Sequence, residues 1–99
     1  MEFATYGMRI DRIANEGRCE LILHGELRLD GARELFERAV QEDCERVVLD
    51  FSGCEVEDRV LAALAELLNQ AHLRLGVRGL RERQLRLLEY LGATRPSMQ

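Results

Sequence analysis

Ser52, Cys54, Glu55, Glu57 and Asp58 lie close together in one polar stretch of the chain. A thiol becomes a nucleophile when a neighbouring histidine or cation lowers its pKa, and clustered carboxylates can hold a divalent cation. Neither chemistry is expected here. No histidine is placed by the sequence to act on Cys54, which reads as a small half-buried thiol. Glu55, Glu57 and Asp58 read as acids on a solvated loop. His24 and His72 fall at strand ends, far apart and without a second ligand at zinc-like spacing, and read as surface or packing residues. Cys19, Cys44 and Cys54 are odd in number and irregularly spaced, which suits reduced thiols better than a disulfide framework. The glycines form no phosphate-cradling string. The residue chemistry predicts no enzyme, no metal site and no cofactor.

The elements around that stretch give it a position. In Val47–Phe51 four apolar or aromatic residues surround Asp50 without polar alternation, the mark of a strand covered by its neighbours. After the polar loop, Val60, Leu61, Leu64, Leu67, Leu68 and Ala71 form one helical stripe, with Asp58 as the expected N-cap. A loop between a strand's carboxyl end and a helix's amino end is where α/β folds place working residues. Alternation at Ala4, Tyr6, Met8 and Ile10 predicts a first strand. The turn Asn15-Glu16-Gly17-Arg18 then leads to a returning strand, Cys19–His24, closed by Gly25. Asp30 is the expected N-cap of a helix carrying Ala32, Leu35, Phe36, Ala39 and Val40 on one face. His72–Arg78 alternates, predicting a half-exposed or edge strand that Gly79 breaks. A last helix packs Leu85, Leu88 and Leu91 and is capped by Gly92.

The predicted order is β-β-α-β-α-β-α, an α/β fold with a four-stranded mixed sheet. The last three strands run parallel, and right-handed crossovers put the helices mainly on one face. The 99 residues make one domain over 1–99, with a core at about 8–93 and a loose tail at 94–99. No apolar run reaches the roughly 18 residues of a membrane span. The amino-terminal stretch lacks the basic start and apolar block of a secretion signal, so a cytoplasmic protein without membrane insertion is expected. Residues 1–71 hold sixteen acids and eight arginines, whereas residues 72–99 hold two acids and six arginines. An acidic body with a small basic end argues against nucleic acid as the partner, since duplex binding neutralises many phosphates.

Several islands recur together at element ends: Leu23-His24-Gly25-Glu26-Leu27, Val48-Leu49-Asp50-Phe51-Ser52-Gly53, Leu61-Ala62-Ala63-Leu64, Arg78-Gly79-Leu80, and Leu87-Leu88-Glu89-Tyr90-Leu91-Gly92. In this order and spacing the chain resembles the sulphate transporter and anti-sigma factor antagonist domain, STAS, over about residues 8–93. The resemblance implies a non-catalytic module that binds a partner protein, here a kinase-type anti-sigma factor, and so regulates bacterial transcription. Other members serve as subunits of stress-signalling complexes or of lipid-transport ATPases, which is the alternative. A small cysteine- or carboxylate-based enzyme is the remote one.

In that family a kinase commonly phosphorylates a serine at the amino end of the second helix, and the added charge abolishes binding. Aligned from Asp50, Arg59 and Val60 occupy the two serine positions of the family loop. Aligned back from the helix leucines, Asp58 occupies one. Either way no hydroxyl stands at the switch, and Ser52 reads as a loop-capping hydroxyl. The resemblance therefore implies a contact surface at Gly53, Glu55, Glu57, Asp58, Arg59 and Val60, with Glu26 and Ser52 as further loop contacts and no phosphorylation site.

Overall fold

The computed structural model describes residues 2–5, 8–71, 74–92 and 97–98. In chain order the elements are β1 (Glu2–Thr5), β2 (Met8–Asn15), β3 (Arg18–Leu27), α1 (Leu29–Gln41), β4 (Arg46–Val56), α2 (Asp58–Ala71), β5 (Leu75–Arg78), α3 (Glu82–Tyr90) and β6 (Ser97–Met98). They form one sheet in the order β1-β2-β3-β4-β5-β6. The β1/β2 and β2/β3 pairs are antiparallel, and every later pair is parallel.

The expected four-stranded mixed sheet and its three helices are present, with a short strand added at each edge. Of the alternating residues, Ala4 lies in β1 and Met8 and Ile10 in β2, two strands paired antiparallel with Phe3 opposite Ile10, and Tyr6 lies outside the described residues. Period-two patterning persists through such a reversal, so it does not reveal the break. At the other edge Ser97 and Met98 pair with Gly76 and Val77, within the stretch read as a loose tail. Two residues are too short to show a period. Their pairing makes β5 an interior strand, with Leu75 and Val77 almost fully buried, where alternation suggested an exposed edge. His72 lies outside the described residues.

Helix α1 packs on α2 and α2 on α3, covering one face of the sheet. Ile10, Leu21, Leu23, Val47, Leu49 and Phe51 meet Leu35, Leu61, Leu64 and Leu88 in a single apolar core. Burying each such side chain contributes about 1.5–3 kcal/mol. Two stripe positions miss this core: Val40 and Leu91 sit in the last turn of α1 and just past α3, and both are exposed. Asp30 lies inside the first turn of α1, and the cap position falls to Arg28, whose side chain makes no capping bond. Among the described residues no helix is long and apolar enough to cross a membrane.

Candidate protein-interaction site

Strands β3, β4 and β5 all end at one edge of the molecule, and each hands the chain to a helix there. A β-bulge decides what that edge presents. Ile22 pairs with Asp50 but His24 pairs with Gly53, so β4 carries one more residue than β3 across this interval. An extra residue re-aims every side chain beyond it. Before the bulge Val47, Leu49 and Phe51 face the helices, and after it Cys54 and Val56 do. Ser52, Gly53 and Glu55 are thereby left exposed.

The stretch read as a loop is therefore mostly strand. Gly25 does not close β3, which continues to Leu27, and Gly25, Cys54, Glu26 and Glu55 all sit in the β3–β4 ladder. A single residue, Glu57, separates β4 from α2. Its N–H donates to Leu27 O at 3.2 Å, and its carbonyl accepts from Val60 N–H at 2.9 Å. Glu57 thus occupies the cap position and Asp58 the first helical position, so the helix starts one residue earlier than expected. A carboxylate there still faces the positive end of the helix.

The expected contact residues divide by exposure. Glu26, Ser52, Gly53, Glu55, Asp58 and Arg59 are exposed and Glu57 is half-buried. Val60 is fully buried under α2, so its side chain contributes to the core and cannot meet a partner. Three ion pairs cross the shelf: Arg59 Nε to Glu57 Oε1 at 3.0 Å, Arg28 Nε to Glu26 Oε1 at 2.8 Å, and Arg83 Nη2 to Asp58 Oδ1 at 3.5 Å. Solvated pairs of this kind contribute about 0–1 kcal/mol each, so they can be exchanged for a partner's charges at little cost.

Behind the shelf, buried Asp50 fixes the strand end. Its Oδ1 accepts from Ser52 N–H at 2.9 Å and from Ser52 Oγ–H at 2.5 Å, the local capping role read for that hydroxyl. Its Oδ2 lies 3.3 Å from Arg78 Nε, and the same guanidinium donates to Glu20. On the neighbouring strands His24 Nε2 lies 3.1 Å from Asp11 Oδ2, so His24 serves a surface pair.

Cys54 donates to Glu55 O at 3.5 Å, and burial pushes its pKa up to about 11. At neutral pH it is a thiol, the opposite of an activated nucleophile. A second cluster lies at the far end of the parallel strands. Cys19 Sγ, Cys44 Sγ and a Glu42 carboxylate oxygen all sit within 4.8 Å of one another. Burial, reinforced by Glu42, raises the Cys19 pKa to about 11. Arg12, by hydrogen bonding to Glu42, lowers that carboxyl's pKa. Sequence spacing gave no hint of this grouping, because Cys19 joins Glu42 and Cys44 only through the parallel β3–β4 register, in which it pairs with Val47.

Among curated proteins none matches the sequence. Among solved structures the chain is similar to a Ser-to-Glu variant of RsbS from Moorella thermoacetica, at 16% identity and a TM-score of 0.57, covering 91% of this chain and 85% of that one. It is also similar to a structure described as Mglu, at 23% identity and a TM-score of 0.54. That match covers 74% of this chain and 20% of the other, so the chain spans about a fifth of its length. These likenesses concern the fold. The family described as "Mlab, STAS domain" matches residues 12–99, from the middle of β2 onward and including all three helices. The chain belongs to the STAS domain family.

Proposed function

We propose that the protein is a non-catalytic, partner-binding regulator of the anti-sigma factor antagonist type, and that its contact surface is the shelf formed by Ser52, Gly53, Glu55, Glu57, Asp58, Arg59 and Glu26. The observation that carries this reading is the β4 bulge. It turns a strand end outward as a row of exposed small and charged residues, at the place where this α/β fold offers loops to a ligand. No activated nucleophile accompanies the shelf, since Cys54 is a raised-pKa thiol packed toward the core.

Binding is constitutive on this reading. Asp58 carries one fixed charge where a phosphorylated serine would carry nearly two, and Arg59 and Arg83 lie beside it. A single neutralised charge is a poor copy of a phosphate dianion. The test is affinity capture from the native cytoplasm with the wild-type chain and with a Glu55→Arg/Arg59→Glu double variant. Recovery of a kinase-type anti-sigma factor by the wild type, lost in the double variant, is the expected result. Recovery of a transport ATPase in its place would transfer the protein to the alternative class. Equal capture by both chains would remove the shelf as the contact surface.

A further inference from the structure

Roughly 25 Å along β3 from the shelf, Cys19 at the start of that strand meets Glu42 and Cys44 of the α1–β4 connection. We propose that these three side chains form a binding site for a thiophilic divalent cation, zinc above all. Tetrahedral zinc takes thiolate sulfur at about 2.3 Å and carboxylate oxygen at about 2.0–2.2 Å, so its ligand atoms stand roughly 3.4–3.8 Å apart. All three atoms here already lie within 4.8 Å of one another, close enough for small side-chain rotations to complete the set.

The surroundings hold these ligands in place. Arg12 forks onto Glu42, with Nε donating to Oε1 and Oε2 at 3.0 Å and Nη2 donating to Oε2 at 2.8 Å. Oε1 takes only one of these three contacts and so has a second lone pair to offer a metal, and an outer hydrogen-bond partner is the usual way such a ligand is oriented. Arg74 donates to the carbonyls of Val40, Cys44 and Glu42, pinning the connection that carries two of the three ligands. Arg46 N–H closes the same connection onto Gly17 O at 3.1 Å.

Chemistry selects the ion. Two sulfurs and one oxygen suit zinc or cadmium, and magnesium and calcium require oxygen cages. Binding breaks two S–H bonds, releases two protons to solvent and forms two metal–sulfur bonds. Two thiolates, one carboxylate, a divalent ion and the Arg12 guanidinium then sum to zero charge, the condition for a stable buried cluster. Half-exposed Cys44 leaves a solvent-facing side from which water can complete the tetrahedron. Bound there, the ion would clip the start of β3 to the α1–β4 connection.

Cobalt(II) is the probe, added to the whole reduced chain without oxygen. The expected result is a saturable one-to-one thiolate–cobalt absorption, displaced by zinc, retained in Cys54→Ser, abolished in Cys44→Ser and weakened at least about tenfold in Glu42→Gln. Retention in a Cys44→Ser chain with unchanged circular dichroism, loss in Cys54→Ser, or no saturable absorption in the wild type would each overturn the site. A second measurement needs no variant. Alkylation of Cys44, mapped by peptide mass, should slow about tenfold when free zinc is about ten times its dissociation constant. An unchanged rate refutes the proposal. Neither result depends on the partner-binding reading of the shelf.

Discussion

Gly79 turns the chain out of β5 at φ +86, and a Cβ there would stand 2.3 Å from the Ser52 amide nitrogen. Backbone strain and a backbone collision therefore act together. Gly92 has a similar φ of +94 but nothing within 4 Å of the same hypothetical atom. Gly92→Ala should cost about 1–2 kcal/mol, the left-handed penalty alone. Gly79→Ala should cost about 3 kcal/mol or more, with the shelf displaced as well. Equilibrium unfolding in urea compares them, and equal costs would exclude the contact with Ser52. Cys54 supports a pH prediction. Its pKa rises from 9.0 to about 11 because burial disfavours the thiolate, so deprotonation is delayed by about two units. The stability it contributes is present below pH 9 and is lost as pH rises toward about 11. Native Cys54 should react with iodoacetamide about a hundredfold more slowly at pH 8 than a free thiol, and equally fast labelling would contradict the burial. The half-buried thiol was legible in the sequence from its place beside an apolar strand. The side it faces was not, because the bulge reverses the phase.

Strands β3, β4 and β5 are tied on the face away from the helices by charge. Arg78 on β5 reaches Asp50 on β4 at 3.3 Å and also Glu20 on β3, and Arg18 lies 3.3 Å from that same Glu20. Asp50 is buried, and without its arginine it would keep only the Ser52 bonds. Arg78→Ala should therefore destabilise by about 1–2 kcal/mol, less than a fully buried pair because the arginine is about a third exposed. A double-mutant cycle with Asp50→Asn measures the coupling, and a coupling near zero would show that the pair only decorates the surface. At the amino end of α2, Val60→Ala should cost about 2 kcal/mol of stability and leave partner affinity unchanged, since Val60 is fully buried. A loss of affinity at full stability would return Val60 to the contact surface. Amphipathic stripes located all three helices from sequence. Cap positions were less legible, because a carboxylate at the cap and one at the first helical position produce the same local pattern.

For the molecule as a whole, the proposed contact surface and the core can be varied separately. Glu55→Arg/Arg59→Glu should abolish capture of the partner and leave the unfolding midpoint nearly unchanged, because both residues are exposed. A fall in the midpoint alongside lost capture would implicate folding instead. If the partner is a kinase, Asp58→Ser should accept phosphate at the helix start and lose binding in the phosphorylated form. Incubation of both chains with that kinase and labelled ATP gives the reading. Stoichiometric label on wild-type Ser52, whose hydroxyl is held by Asp50, would refute constitutive binding.

The turn at Asn15–Arg18, the run Val47–Phe51 with Asp50 as its one polar residue, and the helical stripes are local patterns, and they set the β-β-α-β-α-β-α order; the STAS resemblance rested on the residue islands at the element ends. Local patterns repeat within one element, so a single sequence records them. The tertiary structure decided what depends on pairing between distant strands: the bulge opposite Ile22 and His24, the edge strands at Glu2–Thr5 and Ser97–Met98, and the burial of Val60. It also decided the meeting of Cys19 with Glu42 and Cys44. Register across a sheet is set by the sum of many contacts, and no single segment's periodicity carries it.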